Sequence, residues 1–264
     1  MIITIADISI QLKLPPGDTQ IIEPALEPFI SSRRPDYTIT LSSETVLPGE
    51  KAGVKINGSS ITSCSEFYCG NIDIRTRNGE LKYRPGYMPE SLTNFLKIIY
   101  TQIIISKAGL VLHAAGLVKD SQAHIFFGPS GSGKSTITNL SYDCGILSDE
   151  LVAVISKAGI FEACGMPDWK YGSKYKKQLQ GPFKVSGLYS LIQDRRTYLT
   201  RMSRTQAAAE VFTRPAFLES IEDNSKLLTS CTQLTGTVPC YQLHFTADSS
   251  LWRQIEREHE KQKI

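Results

Sequence analysis

The stretch Gly128-Pro129-Ser130-Gly131-Ser132-Gly133-Lys134-Ser135-Thr136 is the strongest chemical signal in the chain. It fits the pattern of Gly, any four residues, Gly-Lys, then Ser or Thr, in which glycines let backbone amides curl around an anion. In that reading Gly128, Ser130, Gly131, Ser132, Gly133, Lys134, Ser135 and Thr136 bind the phosphates of ATP. Lys134 reaches the outer phosphates, Ser135 ligates Mg²⁺, and the helix that starts here offers its partly positive end. An apolar strand, Ile125-Phe126-Phe127, leads in, and a helix-like segment, Ser135 to Tyr142, leads out.

Two further sets of residues have the right chemistry. Asp149 and Glu150 follow the short segment Gly145-Ile146-Leu147-Ser148, about 15 residues beyond Lys134. One carboxylate there can attend the metal while its neighbour accepts a proton from an attacking hydroxyl; an exposed acidic turn fits the spacing equally well. His113 lies in an apolar run upstream, where a hydrogen-bonded core histidine is the bland alternative. If Val118 pairs with Ala123, an antiparallel register carries Gly116 opposite Ile125 and His113 opposite Gly128, at the mouth of the loop.

The elements that must position these groups follow from periodicity. Leu110 to Val118 and Ala123 to Phe127, separated by Lys119-Asp120-Ser121-Gln122, read as a hairpin, so the strand entering the loop has an antiparallel neighbour. Leu151 to Ile155 reads as another strand. Leu92, Phe95, Leu96, Ile99 and Ile103 recur at helical spacing between Pro89 and Lys107, with Gly109 as the expected C-terminal cap. Ser203 with Gln206 resembles a capping box ahead of a helix over Ala207 to Phe212. Leu227 to Leu234 reads as helix, Cys240 to Phe245 as strand, and Ser249 to Lys263 as a charged helix around Leu251, Trp252 and Ile255. Up to about Tyr83 the alternation of Ile8, Ile10, Leu12 and Leu14, of Tyr37, Ile39 and Leu41, and of Ile72 and Ile74 predicts short strands. The expected organisation is a β-rich part over 1–88 and a loop-bearing catalytic domain over 89–264.

Bulk properties narrow the partners. With 264 residues, 41% hydrophobic and 21% charged, the chain suits a globular protein of one large or two modest domains. A net charge of +3 makes no case for nucleic acid or an anionic membrane. No apolar run reaches the roughly 20 residues of a membrane span, and the N-terminus lacks a secretory pattern, so a cytoplasmic location is expected. The six cysteines, Cys64, Cys69, Cys144, Cys164, Cys231 and Cys240, lack zinc spacing and are expected to be reduced. Lys170, Lys174, Lys176 and Lys177 interleave with Tyr171 and Tyr175 in a stretch readable as a flap for an acidic acceptor or as a solvated basic loop.

His113-Ala114-Ala115-Gly116, the hairpin into the glycine loop, and Leu147-Ser148-Asp149-Glu150 together resemble the catalytic domain of the HPr serine kinase family. That family shares its nucleotide-binding core with ATP-dependent phosphoenolpyruvate carboxykinases. The similarity is strongest over 110–155 and continues through Gly165-Met166-Pro167 and Pro239 to Phe245. The resemblance implies an α/β fold of α+β character, a P-loop kinase core with a small β-rich N-terminal part. It also implies Asp149 as base, Glu150 near the metal in place of a second aspartate, and His113 arranging the catalytic carboxylate; with Lys134 on the outer phosphates, Asp149 and His113 make up the expected catalytic set. A later arginine would hold the transferring phosphate, with Arg195, Arg196, Arg201 and Arg204 as candidates. No Arg-Gly-Leu-Gly segment is present, so the family's phosphate-removing activity is not implied, and the chain is short for a carboxykinase. The expected activity is an ATP- and Mg²⁺-dependent kinase acting on a serine-like hydroxyl of a peptide, protein or small molecule. The competing expectation is a non-catalytic nucleotide-binding module that regulates a partner enzyme; whether the chain forms a homo-oligomer stays open.

Overall fold

The computed structural model describes the chain except residues 48, 50, 168–177, 217–223, 249 and 262–264. The lysine-rich stretch from Lys170 to Lys177 therefore lies outside the described residues. Two compact units emerge, Met1–Lys107 and a second built mainly on Ala108–Gly165 and the described residues of 178–216 and 224–261. Each has its own mixed α/β architecture and one sheet.

The first sheet runs β1 (Ile2–Ile5), β2 (Ile8–Lys13), β3 (Tyr37–Ser43), β7 (Asn78–Tyr83), β6 (Tyr68–Asp73), β5 (Ser60–Cys64), β4 (Gly53–Asn57) across its width. The alternation of Ile10 and Leu12 and of Tyr37, Ile39 and Leu41 is the alternation of their burial. Helix α2 (Met88–Ser106) packs on this unit with Leu92, Phe95, Leu96, Ile99 and Ile103 buried. Its end differs from the expectation: Ala108, not Gly109, takes the left-handed conformation, at φ 60°. The N-terminal part is also not all strand. Helix α1 (Asp18–Leu26) begins after the Pro15-Pro16-Gly17 turn and buries Ile22, Ala25 and Leu26. An internal proline, Pro24, hides it from a reading by pattern. Cys64 and Cys69, paired across β5 and β6, form a disulfide, against the expectation that all six cysteines are reduced.

In the second unit β8 (Leu110–Lys119) and β9 (Gln122–Phe127) form the expected hairpin. Val118 pairs with Ala123, Gly116 with Ile125 and Ala114 with Phe127. Asp120 and Ser121 make the turn with φ of 49° and 60°, the twist that suits a two-residue hairpin. β8 is long enough to serve three partners: its first half pairs with β11 (Leu151–Lys157), its second half with β9 and with β10 (Gly145–Ser148). β12 (Ile160–Gly165) continues from β11 to β13 (Phe183–Gln193), which lies parallel to β9 and to β15 (Cys240–Phe245); β14 (Tyr198–Arg201) closes that edge. The strand entering the glycine loop thus has a parallel neighbour, supplied from more than fifty residues away, in addition to its hairpin partner.

Helices α3 (Lys134–Leu140) and α6 (Leu251–Lys261) cover a core of Phe126, Ile137, Tyr189, Tyr241, Trp252 and Ile255, among others. The Trp252 indole donates to Ser141 Oγ at 2.9 Å just past α3. Deeper in, His124 Nδ1 meets the Tyr189 hydroxyl at 3.1 Å, and that hydroxyl meets His259 Nε2 at 3.0 Å. Helix α4 (Arg204–Phe212) starts at Ser203, whose Oγ accepts from Gln206 N as expected of the cap. Helix α5 (Asn224–Thr237) follows.

Candidate functional site

The loop from Gly128 to Gly133 leaves the carboxyl end of β9, and its shape depends on two glycines. Gly133 sits at φ 105°, and a Cβ there would lie 2.5 Å from the Phe245 ring. A Cβ on Gly128 would lie 2.6 Å from Ser132 Oγ. The loop is therefore folded tightly on itself and against β15. Ser132 is buried, and its hydroxyl has no hydrogen-bond partner among the described residues. Gln193 Nε2, at the end of β13, donates to Gly131 O at 2.8 Å and ties the loop to the parallel strand. Ser130, Gly131, Ser135 and Thr136 are exposed. The helix after the loop spans Lys134–Leu140 and begins directly after Gly133.

Lys134 folds back over this loop, its Nζ donating to Gly128 O at 3.0 Å and to Pro129 O at 3.2 Å. Burial first, and then the like charge of Arg214, holds its ammonium below the ordinary value. Arg214 was not among the arginines expected to matter, and it is the one whose charge bears on Lys134. It follows α4 and is fixed by its backbone: His113 N donates to Arg214 O at 2.8 Å, and Pro215 bridges to Leu112. Its Nε is buried with no partner among the described residues. A second cation whose charge bears on Lys134, with one buried nitrogen that has no partner among the described residues, is an arrangement that an oligoanion would stabilise. Arg195 and Arg196 lie beyond β13, Arg201 ends β14 and Arg204 begins α4. No motif marks Arg214; only its pairing with β8 brings it to the loop.

The acidic turn is also built from β8. Ser148 Oγ accepts from Glu150 N at 3.1 Å and Leu151 N at 3.0 Å, closing the turn, while Ala114 N donates to Glu150 O at 3.0 Å. Asp149 is only 5% exposed and Glu150 is half-buried. A solvated acidic turn is therefore not what the chain makes here. His113 pairs with Leu151 and stands one register step beyond the Ala114–Phe127 pair, beside the start of the glycine loop. It is exposed between buried neighbours and so is not a core histidine. One strand, β8, thus aligns His113, the Asp149–Glu150 turn and, through β9, the loop.

Among the described residues no three His, Cys, Asp or Glu side chains gather into a cage for a metal ion. Ser135 and Glu150 offer hard oxygen donors, the type that a Mg²⁺ shared with phosphate oxygens requires. No helix of the described residues is long and apolar enough to cross a membrane.

Comparison with known proteins gives three findings. The family profile described as SynChlorMet cassette protein ScmC matches residues 88–260. No curated protein matches the chain. Among solved structures, the Hpr(Ser) kinase/phosphatase from Coxiella burnetii is similar at 12% identity, over 58% of this chain and 99% of that one, with a TM-score of 0.35. That likeness is one of fold and too slight to bear on function.

Proposed function

The chain belongs to the family of SynChlorMet cassette protein ScmC, and we propose that it is an ATP-dependent phosphotransferase with a P-loop kinase core. In this reading it moves the γ-phosphoryl group to a serine-like hydroxyl of a peptide, protein or small molecule. The observation that carries it is the tight glycine loop onto which Lys134 folds, with the buried Asp149 turn and the Arg214 backbone both fastened to β8, the strand paired with the one that enters the loop. Phosphoryl transfer depends on positioning and on stabilising charge spread over the phosphate oxygens. The loop amides and Lys134 would cradle the β- and γ-phosphates. Arg214 would hold the transferring group, its guanidinium forming the paired hydrogen bonds that a phosphate accepts. Ser135 and Glu150 would hold Mg²⁺, which supplies further neutralisation of phosphate charge when bound. Asp149 would take the proton of the acceptor hydroxyl as its oxygen attacks phosphorus and the bond to the bridging oxygen of ADP breaks. His113 would orient that carboxylate. Burying a carboxylate is costly, and a module that only sensed nucleotide would have no use for Asp149.

Titration with Mg-ATP tests the reading. Wild-type protein is expected to bind, and Lys134→Ala to bind at least tenfold more weakly, since a charge-assisted contact to phosphate is lost. A wild-type chain that binds no Mg-ATP would sink the proposal.

A further inference from the structure

A cavity of about 300 Å³ opens beside the loop, lined by Thr136, Gln193, Asp194, Phe245, Thr246 and Ala247. We propose that this cavity receives the nucleoside half of the triphosphate, with the ribose hydroxyls at Asp194 and Thr246. The inference rests on the reading of Gly128 to Ser135 as the triphosphate loop and adds what the rest of that ligand touches.

Position is the first reason. β9, β13 and β15 run parallel, Ser190 pairing with Phe127 and Gln193 with Phe245, so their carboxyl ends lie side by side. The glycine loop leaves the first of these ends, Gln193 and Asp194 the second, Phe245 to Ala247 the third. Open parallel arrangements bind ligands in the crevice outside such ends. Thr136 joins the cavity to Ser135, and Gln193 joins it to Gly131 through the 2.8 Å hydrogen bond. A ligand seated on the loop therefore has one direct continuation.

Charge and size say which part of the ligand continues there. Lys134 and Arg214 provide the positive side, whereas the charged group among the described lining residues is a carboxylate, Asp194, and the Thr246 hydroxyl donates to a second, Asp248; carboxylates repel phosphate and suit neutral hydroxyl donors. Asp194 is held in place: it accepts from Arg195 N at 2.5 Å, from His244 Nδ1 at 2.9 Å and from the Tyr198 hydroxyl at 3.3 Å. Tyr198 stacks on His244 with ring centroids 4.2 Å apart, which stiffens the support. The backbone N–H of Arg195 and then His244 keep the carboxyl below its usual value, so it is ionised at neutral pH. Phe245 and Ala247 complete the lining. At the lower end of ligand-pocket volumes, the cavity suits part of a nucleotide, not the whole.

The experiment compares Mg-ATP with Mg-tripolyphosphate, which has the phosphates and no nucleoside, by calorimetric titration of wild-type, Lys134→Ala, Asp194→Ala and Thr246→Val chains. Wild-type protein is expected to prefer Mg-ATP by about tenfold or more. Asp194→Ala and Thr246→Val should each remove most of that preference while tripolyphosphate affinity stays within about twofold, which also shows that the variant is folded; Lys134→Ala should weaken both ligands. Equal wild-type affinities for the two ligands would overturn the nucleoside cavity and leave the loop reading intact. So would Asp194→Ala and Thr246→Val variants that keep the ATP preference, or that weaken both ligands equally. Binding of neither ligand by the wild-type chain would remove the loop reading and this inference with it. The wild-type comparison stands even if one variant fails to fold.

Discussion

Asp149 and Arg214 show how burial turns ordinary side chains into candidates for chemistry. Asp149 is 5% exposed in a turn closed by Ser148, so its carboxylate is held at one place instead of sampling solvent. Asp149→Asn keeps the volume and loses the ability to take a proton. Mg-ATP affinity should be retained while transfer of labelled γ-phosphate falls by about 10²- to 10⁴-fold; transfer at the wild-type rate would remove Asp149 from the role of base. Arg214 carries a different expectation because its guanidinium bears on Lys134. Arg214→Met should lower the rate of transfer by about 10³-fold, as for other arginines that neutralise a transferring phosphoryl group, and should change Mg-ATP affinity much less. Measuring turnover and affinity on the same variant separates the two effects, and a loss confined to affinity would count against the role assigned to it.

At the scale of elements, α6 is fastened to the second sheet by a polar chain inside an aromatic core. His124 is packed between Tyr189, Trp252 and His259, with the His124 and His259 ring centroids 5.6 Å apart. Burial, then the neighbouring charges of His259 and Lys119, push the His124 imidazole down to about 3. Its unfolded value is near 6.5, so the unfolded chain takes up a proton that the folded chain refuses throughout the interval between those values. The stability linked to neutral His124 is thus fully present above about pH 6.5 and is lost on acidification toward pH 3, by up to about 1.4 kcal/mol per pH unit. Denaturant titrations between pH 7 and pH 4 should show a steeper fall for the wild-type chain than for His124→Gln. Parallel pH profiles for the two proteins would mean that His124 is not the group being charged.

For the whole molecule, what local sequence determined and what tertiary structure decided divide by distance along the chain. The glycine loop, the β8–β9 register, α2 and the Ser203 cap all arise from residues a few positions apart. There, turn length, side-chain period and capping chemistry act on the backbone directly. The α1 helix was hidden although local, because Pro24 masks a short apolar pattern. Other features depend on residues far apart meeting. The parallel neighbour of β9 arrives from β13, and Arg214 reaches the loop only because its carbonyl accepts from His113, about a hundred residues earlier. Neither has a periodicity of its own to display. The types of Asp149 and His113 were visible, but their exposures were not: β8 pairs with β10 and β11 around Asp149, while His113 stays open to solvent. A residue's type states which chemistry it can perform. Its protonation, orientation and partners follow from the dielectric and hydrogen bonds around it, and these exist only once distant strands have come together.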